Sequence, residues 1–128
     1  MALILDTNAL SAFVDGLPAI RSVIRETGLE LALPAVVYGE YLFGVRQSRL
    51  RLEYEAWLKE NLRVLEMLPI GAETAHHYAA VRSELKASGK PIPSNDIWIA
   101  ALARQHGRPI LSRDRHFEAV RGLRVLSW

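Results

Sequence analysis

Cysteine is absent from the 128 residues, which excludes disulfides, zinc thiolate sites and thiol catalysis and leaves oxygen and imidazole as the only metal ligands. No apolar run approaches the roughly 18 residues that cross a bilayer, and no basic segment precedes an apolar one at the N-terminus. The chain therefore reads as cytoplasmic, with no membrane partner. Repeats, low-complexity tracts and Pro/Gly/Ser-rich linkers are also missing, so residues 1–128 read as a single domain. Half of the residues are apolar, enough for one sizeable core. Neither a Gly-x-Ser-x-Gly elbow nor a glycine-rich phosphate loop occurs. Lysine is scarce: thirteen arginines stand against three lysines within a net charge of +2. Arginine favours bidentate phosphate contacts, and Arg104, Arg108, Arg113, Arg115, Arg121 and Arg124 crowd the last quarter of the chain. They offer a path for nucleic acid or, more simply, a solvated basic face.

What is present alternates. Short apolar runs at Ala2 to Leu5, Leu29 to Leu33, Val64 to Leu68, Ile110 to Leu111 and Leu123 to Leu126 read as strands. Several are too uniformly apolar to have a wet face. Helical spacing separates them: Leu17, Ile20 and Ile24 before Gly28; Leu50, Tyr54, Trp57 and Leu58; Ala75, Tyr78, Val81 and Leu85 before Gly89 and Pro91. A further helix, Asp96 to Gln105, is apolar nearly all round and is expected to be buried. Alternating buried strands and helices predict an α/β fold, a three-layer α/β/α sandwich with a mostly parallel central sheet of about five strands. In such sheets ligands sit beyond the carboxyl ends of the strands, where strand order reverses.

Aspartate is the rarest charged residue after lysine, with only four in the chain. Asp6, in Leu5-Asp6-Thr7-Asn8, and Asp114, in Leu111-Ser112-Arg113-Asp114, each follow an expected strand and so face one rim. Asp96 opens the apolar helix in Ser94-Asn95-Asp96-Ile97-Trp98. Asp15, before Leu17-Pro18, reads as a helix cap. Glu40 is the only charge between Pro34 and Val45, on a helix apolar enough to be expected buried, where a carboxylate is costly unless a cation compensates it. Singly, Asp6, Asp96 and Asp114 are each explained by helix capping, and Glu40 by a narrow solvated stripe on its helix. Together, the four acids concentrate negative charge that calls for a cation, and oxygen ligands select Mg²⁺ or Mn²⁺. A metal so held suits phosphodiester hydrolysis.

The ordered motifs Leu5-Asp6-Thr7-Asn8, Glu40 in an apolar helix, Asn95-Asp96-Ile97-Trp98-Ile99-Ala100-Ala101 and Leu111-Ser112-Arg113-Asp114-Arg115-His116-Phe117 resemble those of PIN-domain ribonucleases, in particular the VapC-type toxins. The likeness spans the whole chain. It implies a Mg²⁺- or Mn²⁺-dependent endoribonuclease using one or two ions, with Asp6 and Asp96 as principal metal ligands. By the same likeness Glu40 and Asp114 complete the acidic pocket, Asp114 also as a metal ligand, while Ser112 and Asn8 orient the carboxylates by hydrogen bonds. A homodimer and a co-expressed antitoxin whose tail enters the acidic site are implied as partners, with RNA as substrate.

Two alternatives stand beside this reading. A haloacid-dehalogenase-type phosphatase needs a second Asp two residues after the first, where Asn8 stands. A catalytically silent PIN-like module that binds RNA or protein has no use for a costly Glu40. His76 and His77 read as surface or structural residues that cannot easily share a metal, since helix neighbours diverge by about 100°. His116 reads as a helix-start packing residue before a phosphate contact, and Trp57, Trp98 and Tyr54 as core or dimer contacts.

Overall fold

The computed structural model describes residues 2–128. Five strands alternate with helices: β1 (Ala2–Leu5), α1 (Thr7–Val14), α2 (Pro18–Thr27), β2 (Glu30–Pro34), α3 (Ala35–Arg46), α4 (Arg51–Asn61), β3 (Leu65–Leu68), α5 (Ala72–Ser88), α6 (Ser94–His106), β4 (Ile110–Leu111) and β5 (Val125–Leu126). Short 3₁₀ turns precede β3 and connect β4 to β5. The sheet order is β3-β2-β1-β4-β5, and every neighbouring pair is parallel. Successive side chains of a strand point to opposite faces. Because Ala2, Leu3, Ile4 and Leu5 of the central strand are all buried, both faces of the sheet are covered, as the sandwich expectation required.

Glycine in the left-handed region ends two of the helices that frame the site. Gly89 (φ 68°) closes α5 and Gly107 (φ 61°) closes α6, a conformation an L side chain adopts only at a cost. Small residues let α6 lie close to its neighbours. Ala100, Ala101 and Ala103 are buried alongside Ile97, Ile99 and Leu102, so the expectation of a buried helix holds. Tyr78 of α5 stacks on Trp98 of α6 with ring centroids 4.0 Å apart, and Trp57 meets Phe13 edge-on.

Three local readings change. Asp15 does cap a helix, but at the C-terminal end of α1 and through its backbone, the N–H bonding back to Ser11 and Phe13 carbonyls; α2 begins on Leu17 and Pro18 with no side-chain cap. The last strand is shorter than expected because β4 offers only two residues to pair with. Val64 belongs to the 3₁₀ turn and is 62% exposed. No helix among the described residues is long and apolar enough to cross a membrane.

Chain order and sheet order together locate the crevice. From β1 the chain steps outward through β2 to β3, then crosses back to β4 on the other side of β1. The reversal therefore falls at the carboxyl ends of β1 and β4.

Candidate active site

Asp6 directly follows β1, and its extended backbone makes it the N-cap of α1. One carboxylate oxygen accepts from the Ala9 N–H at 2.8 Å; the other accepts a hydrogen bond from the Ser112 hydroxyl. Asp6 is only 5% exposed. Burial raises its pKa above the ordinary value, the bonds from Ser112 and Ala9 oppose that, and the charges of Asp96 and Asp114 add to it. Ser112, at the end of β4 and equally buried, also accepts from the Asp114 N–H at 2.8 Å. One hydroxyl thus ties the loops after two adjacent strands together.

Asp96 projects from the first turn of α6. Its pKa is raised by burial first; the hydrogen bond from His116 lowers it, and Asp114 and Glu40 raise it further. Asp114 caps the turn Arg115–Ala119, accepting from the His116 N–H at 2.9 Å. The His116 ring lies between these two acids, with Nδ1 2.7 Å from Asp96 and 3.0 Å from Asp114. The bond to Asp96 is the largest cause of a raised His116 pKa. His116 therefore faces the acids rather than packing into the core, a role the Asp-x-His spacing only hints at. Buried Phe117, the next residue, anchors the turn that carries it.

Glu40 departs from the expectation of a buried acid. It is exposed, as are its neighbours Gly39, Phe43 and Gly44, and the buried face of α3 is Val37, Tyr41 and Val45. Thr7 donates to its carboxylate at 3.1 Å, which fixes it beside the start of α1. Its charge reaches Asp96, so it belongs to the same acidic rim. The crowding that burial creates falls on Asp6 and Asp96 instead. Asn8 is exposed and, among the described residues, donates no hydrogen bond to these carboxylates; its helical side points to solvent while Thr7 takes the orienting role.

The arginine-rich tail does not form one path. Arg104 binds Glu84 and the Arg121 carbonyl, Arg108 binds Glu66, and Arg113 binds the Trp128 carbonyl while lying over its ring. Arg104, Arg108 and Arg124 line a cavity with Gly107 and Pro109, at the amino ends of β4 and β5 and so opposite the acids. His76 is exposed and His77 half-buried on α5, apart from the site as expected. A cavity of about 440 Å³ between α5, α6 and the turn after β4 holds none of the four acids. Glu40 instead lines a smaller cavity with Thr7.

Donor atoms of Asp96, Asp114 and His116 lie within 4.8 Å of one another, with Asp6 coupled to both acids. Asp6 and Asp96, whose pKa values neighbouring carboxylates raise, together with Asp114 and with no Lys or Arg among their hydrogen-bond partners in the described residues, form a donor set that fits a hard divalent cation. A parallel α/β sheet with acids gathered at its switch point defines the class, and the PIN domain family model matches residues 3–123: the chain belongs to the PIN-domain family. Within it, the chain is 30% identical over 126 residues to ribonuclease VapC2 of Haemophilus influenzae, covering 97% of this chain and 96% of that protein. It is 29% identical to the tRNA(fMet)-specific endonuclease VapC of Shigella flexneri, with the same coverage. The solved structure of VapBC-5, a member of the VapBC family of toxin-antitoxin systems from Mycobacterium tuberculosis, superposes with a TM-score of 0.73 at 29% identity, covering 98% of this chain and 96% of that one.

Proposed function

We propose that this chain is a metal-dependent endoribonuclease of the VapC kind, a single PIN domain over residues 1–128 and the toxin of a toxin-antitoxin pair. The observation that carries the reading is the buried Asp6 carboxylate, fixed by Ser112 and Ala9 and electrostatically coupled to Asp96 and Asp114 at the sheet's switch point. A carboxylate held at that cost in hydration, among others of the same sign, serves a cation better than it serves the fold.

Asp6, Asp96 and Asp114 would hold Mg²⁺ or Mn²⁺, as one ion or two. Bound there, a divalent ion supplies Lewis acidity at a phosphoryl oxygen and offsets charge on the departing one. The chain's own residues do the rest. Ser112 holds Asp6 and the Asp114 backbone in one geometry. Glu40, exposed and oriented by Thr7, accepts a proton from the attacking water as the new P–O bond forms and the bond to the leaving ribose oxygen breaks. His116, its Nδ1 2.7 Å from Asp96 and 3.0 Å from Asp114, keeps these two carboxylates together. RNA as substrate rests on the ribonuclease relatives; an antitoxin partner and a homodimer follow from the same kinship.

Incubating the purified protein with total RNA in Mn²⁺, beside Asp6→Asn and an EDTA control, tests this. Cuts are expected only for wild type with metal, and mapping their ends gives the sequence preference. Equal cleavage by Asp6→Asn, or undiminished cleavage in EDTA, would sink the mechanism.

A further inference from the structure

A second cavity, about 210 Å³, opens from the acidic rim and shares Thr7 and Glu40 with it. Its walls are two helical stripes. Thr7 and Ser11 of α1 and its C-cap Asp15 stand four residues apart, as do Glu40 and Gly44 of α3 and Ser48 just past its end, so the groove runs about 12 Å along the helices. Tyr41, Val45 and Tyr54 complete it, and no lysine or arginine lines it.

Gly44 is the informative residue. It lies inside α3, its φ is not among the positive values, and a Cβ added there would meet nothing within 4 Å. Neither backbone nor packing calls for glycine, which weakens a helix relative to alanine. What glycine does leave is open space on the groove floor, where a flat ring can approach the backbone.

The lining chemistry selects the occupant. Beyond Glu40, the groove offers a phosphate one carboxylate, Asp15, and no cation, so the RNA backbone stays at the rim and does not run along the groove. Ser11, Ser48, Tyr41 and Tyr54 offer hydroxyls that donate as well as accept, whereas an arginine or lysine side chain brings donors only and leaves those hydroxyl protons unmatched. Burial, with Asp15 adding, pushes the Tyr41 phenol up to about 12, which keeps it a donor. A nucleoside edge presents both donors and acceptors, and its base can lie against a tyrosine ring. Asp15, an acceptor, matches the adjacent imino and amino N–H groups of guanine and finds no such pair on uracil.

We infer that the groove between α1 and α3 is a nucleoside subsite that seats the base flanking the scissile phosphate, with guanine preferred, so that Gly44 and Asp15 set sequence selectivity. This rests on the RNA-cleaving reading above.

The test uses short RNAs identical except at the nucleotides either side of the mapped cut, with Mn²⁺, for wild type, Gly44→Ala, Asp15→Asn and Gly39→Ala. Gly39 is an equally open α3 glycine outside the groove and serves as the matched control. Both alanine variants should melt at a higher temperature than wild type. Only Gly44→Ala should raise KM, by about tenfold, with kcat within about twofold. Asp15→Asn should erase the preference for guanine over uracil. If wild type cleaves RNA while Gly44→Ala keeps its KM and base preference, the subsite is wrong and the ribonuclease reading survives. If those parameters hold but Gly44→Ala resists inhibition by an arginine-rich peptide, the groove belongs to a protein partner and the inference falls. Absence of any RNA cleavage by wild type overturns both readings together.

Discussion

At the scale of single residues, Asp6 is pulled two ways. Two donors stabilise its charge, yet burial outweighs them and its pKa stays above the ordinary value, as does that of Asp96. Ser112→Ala removes one of those donors at a fully buried position and is expected to cost about 1–3 kcal/mol of stability, read by urea denaturation. Ser112→Thr keeps the hydroxyl and should restore both stability and cleavage; failure of Thr to do so would mean that packing, not the hydrogen bond, holds the site. The raised values also fix a pH trend. An acid whose folded pKa exceeds its unfolded value adds stability that is complete below the unfolded value, 3.8 for Asp6 and Asp96, and is lost as pH rises through the folded one. His116, raised above 6.5, likewise contributes fully below that value and loses its contribution as pH rises through the folded one. Glu84, lowered by its Arg104 partner, works the other way, so the trend is read as a difference: without metal, the melting temperature of wild type relative to Asp6→Asn should fall as pH rises from the acid side through neutrality. A difference that grows in wild type's favour over that interval would contradict the account.

At the scale of elements, the helices that deliver the acids behave differently. Helix α6 is packed on nearly every side, and Ala100 within it is wholly buried. Ala100→Leu forces extra volume into that packing and is expected to cost about 1–3 kcal/mol; because Asp96 rides on the same helix, cleavage should fall at temperatures where the variant remains folded. Unchanged activity would show that α6 shifts without moving Asp96. Helix α3 is as apolar in composition but not in burial. Phe43 is 68% exposed, so Phe43→Ser should change stability by less than about 0.5 kcal/mol in the same denaturation experiment. This is where the sequence misleads. Glycines swell an apolar run without contributing buried surface, and with only one charge between Pro34 and Val45 nothing marks which stripe meets solvent. The ends of α5 and α6 were legible because Gly89 and Gly107 adopt the left-handed conformation that ends a helix. The short β5 was not, since its length depends on β4, a partner distant in neither sequence nor space but limited to two pairing residues.

At the scale of the whole molecule, strand alternation made the sandwich readable, and the position of Asp6 and Asp114 after strands made their shared rim readable. Which residue would fill the space between Asp96 and Asp114 was not, because contact between His116 and Asp96 joins residues 20 apart through the packing of α6 against the turn after β4. The consequence of that arrangement is a linkage between metal and fold. Carboxylates buried near one another disfavour the folded state at neutral pH, and a cation that binds only the folded chain reverses the penalty. An ion present at 100 times its Kd adds about 2.7 kcal/mol, so Mg²⁺ or Mn²⁺ should raise the melting temperature in proportion to the logarithm of its concentration, and EDTA should return it. Asp6→Asn should start from a higher metal-free melting temperature, because its amide keeps the bond from Ala9 without the charge, yet gain less from added ion. Asp96→Asn should also lose most of the metal-induced rise. If both variants respond to Mn²⁺ as fully as wild type does, the ion binds elsewhere, and the acids gathered at the switch point serve some other purpose.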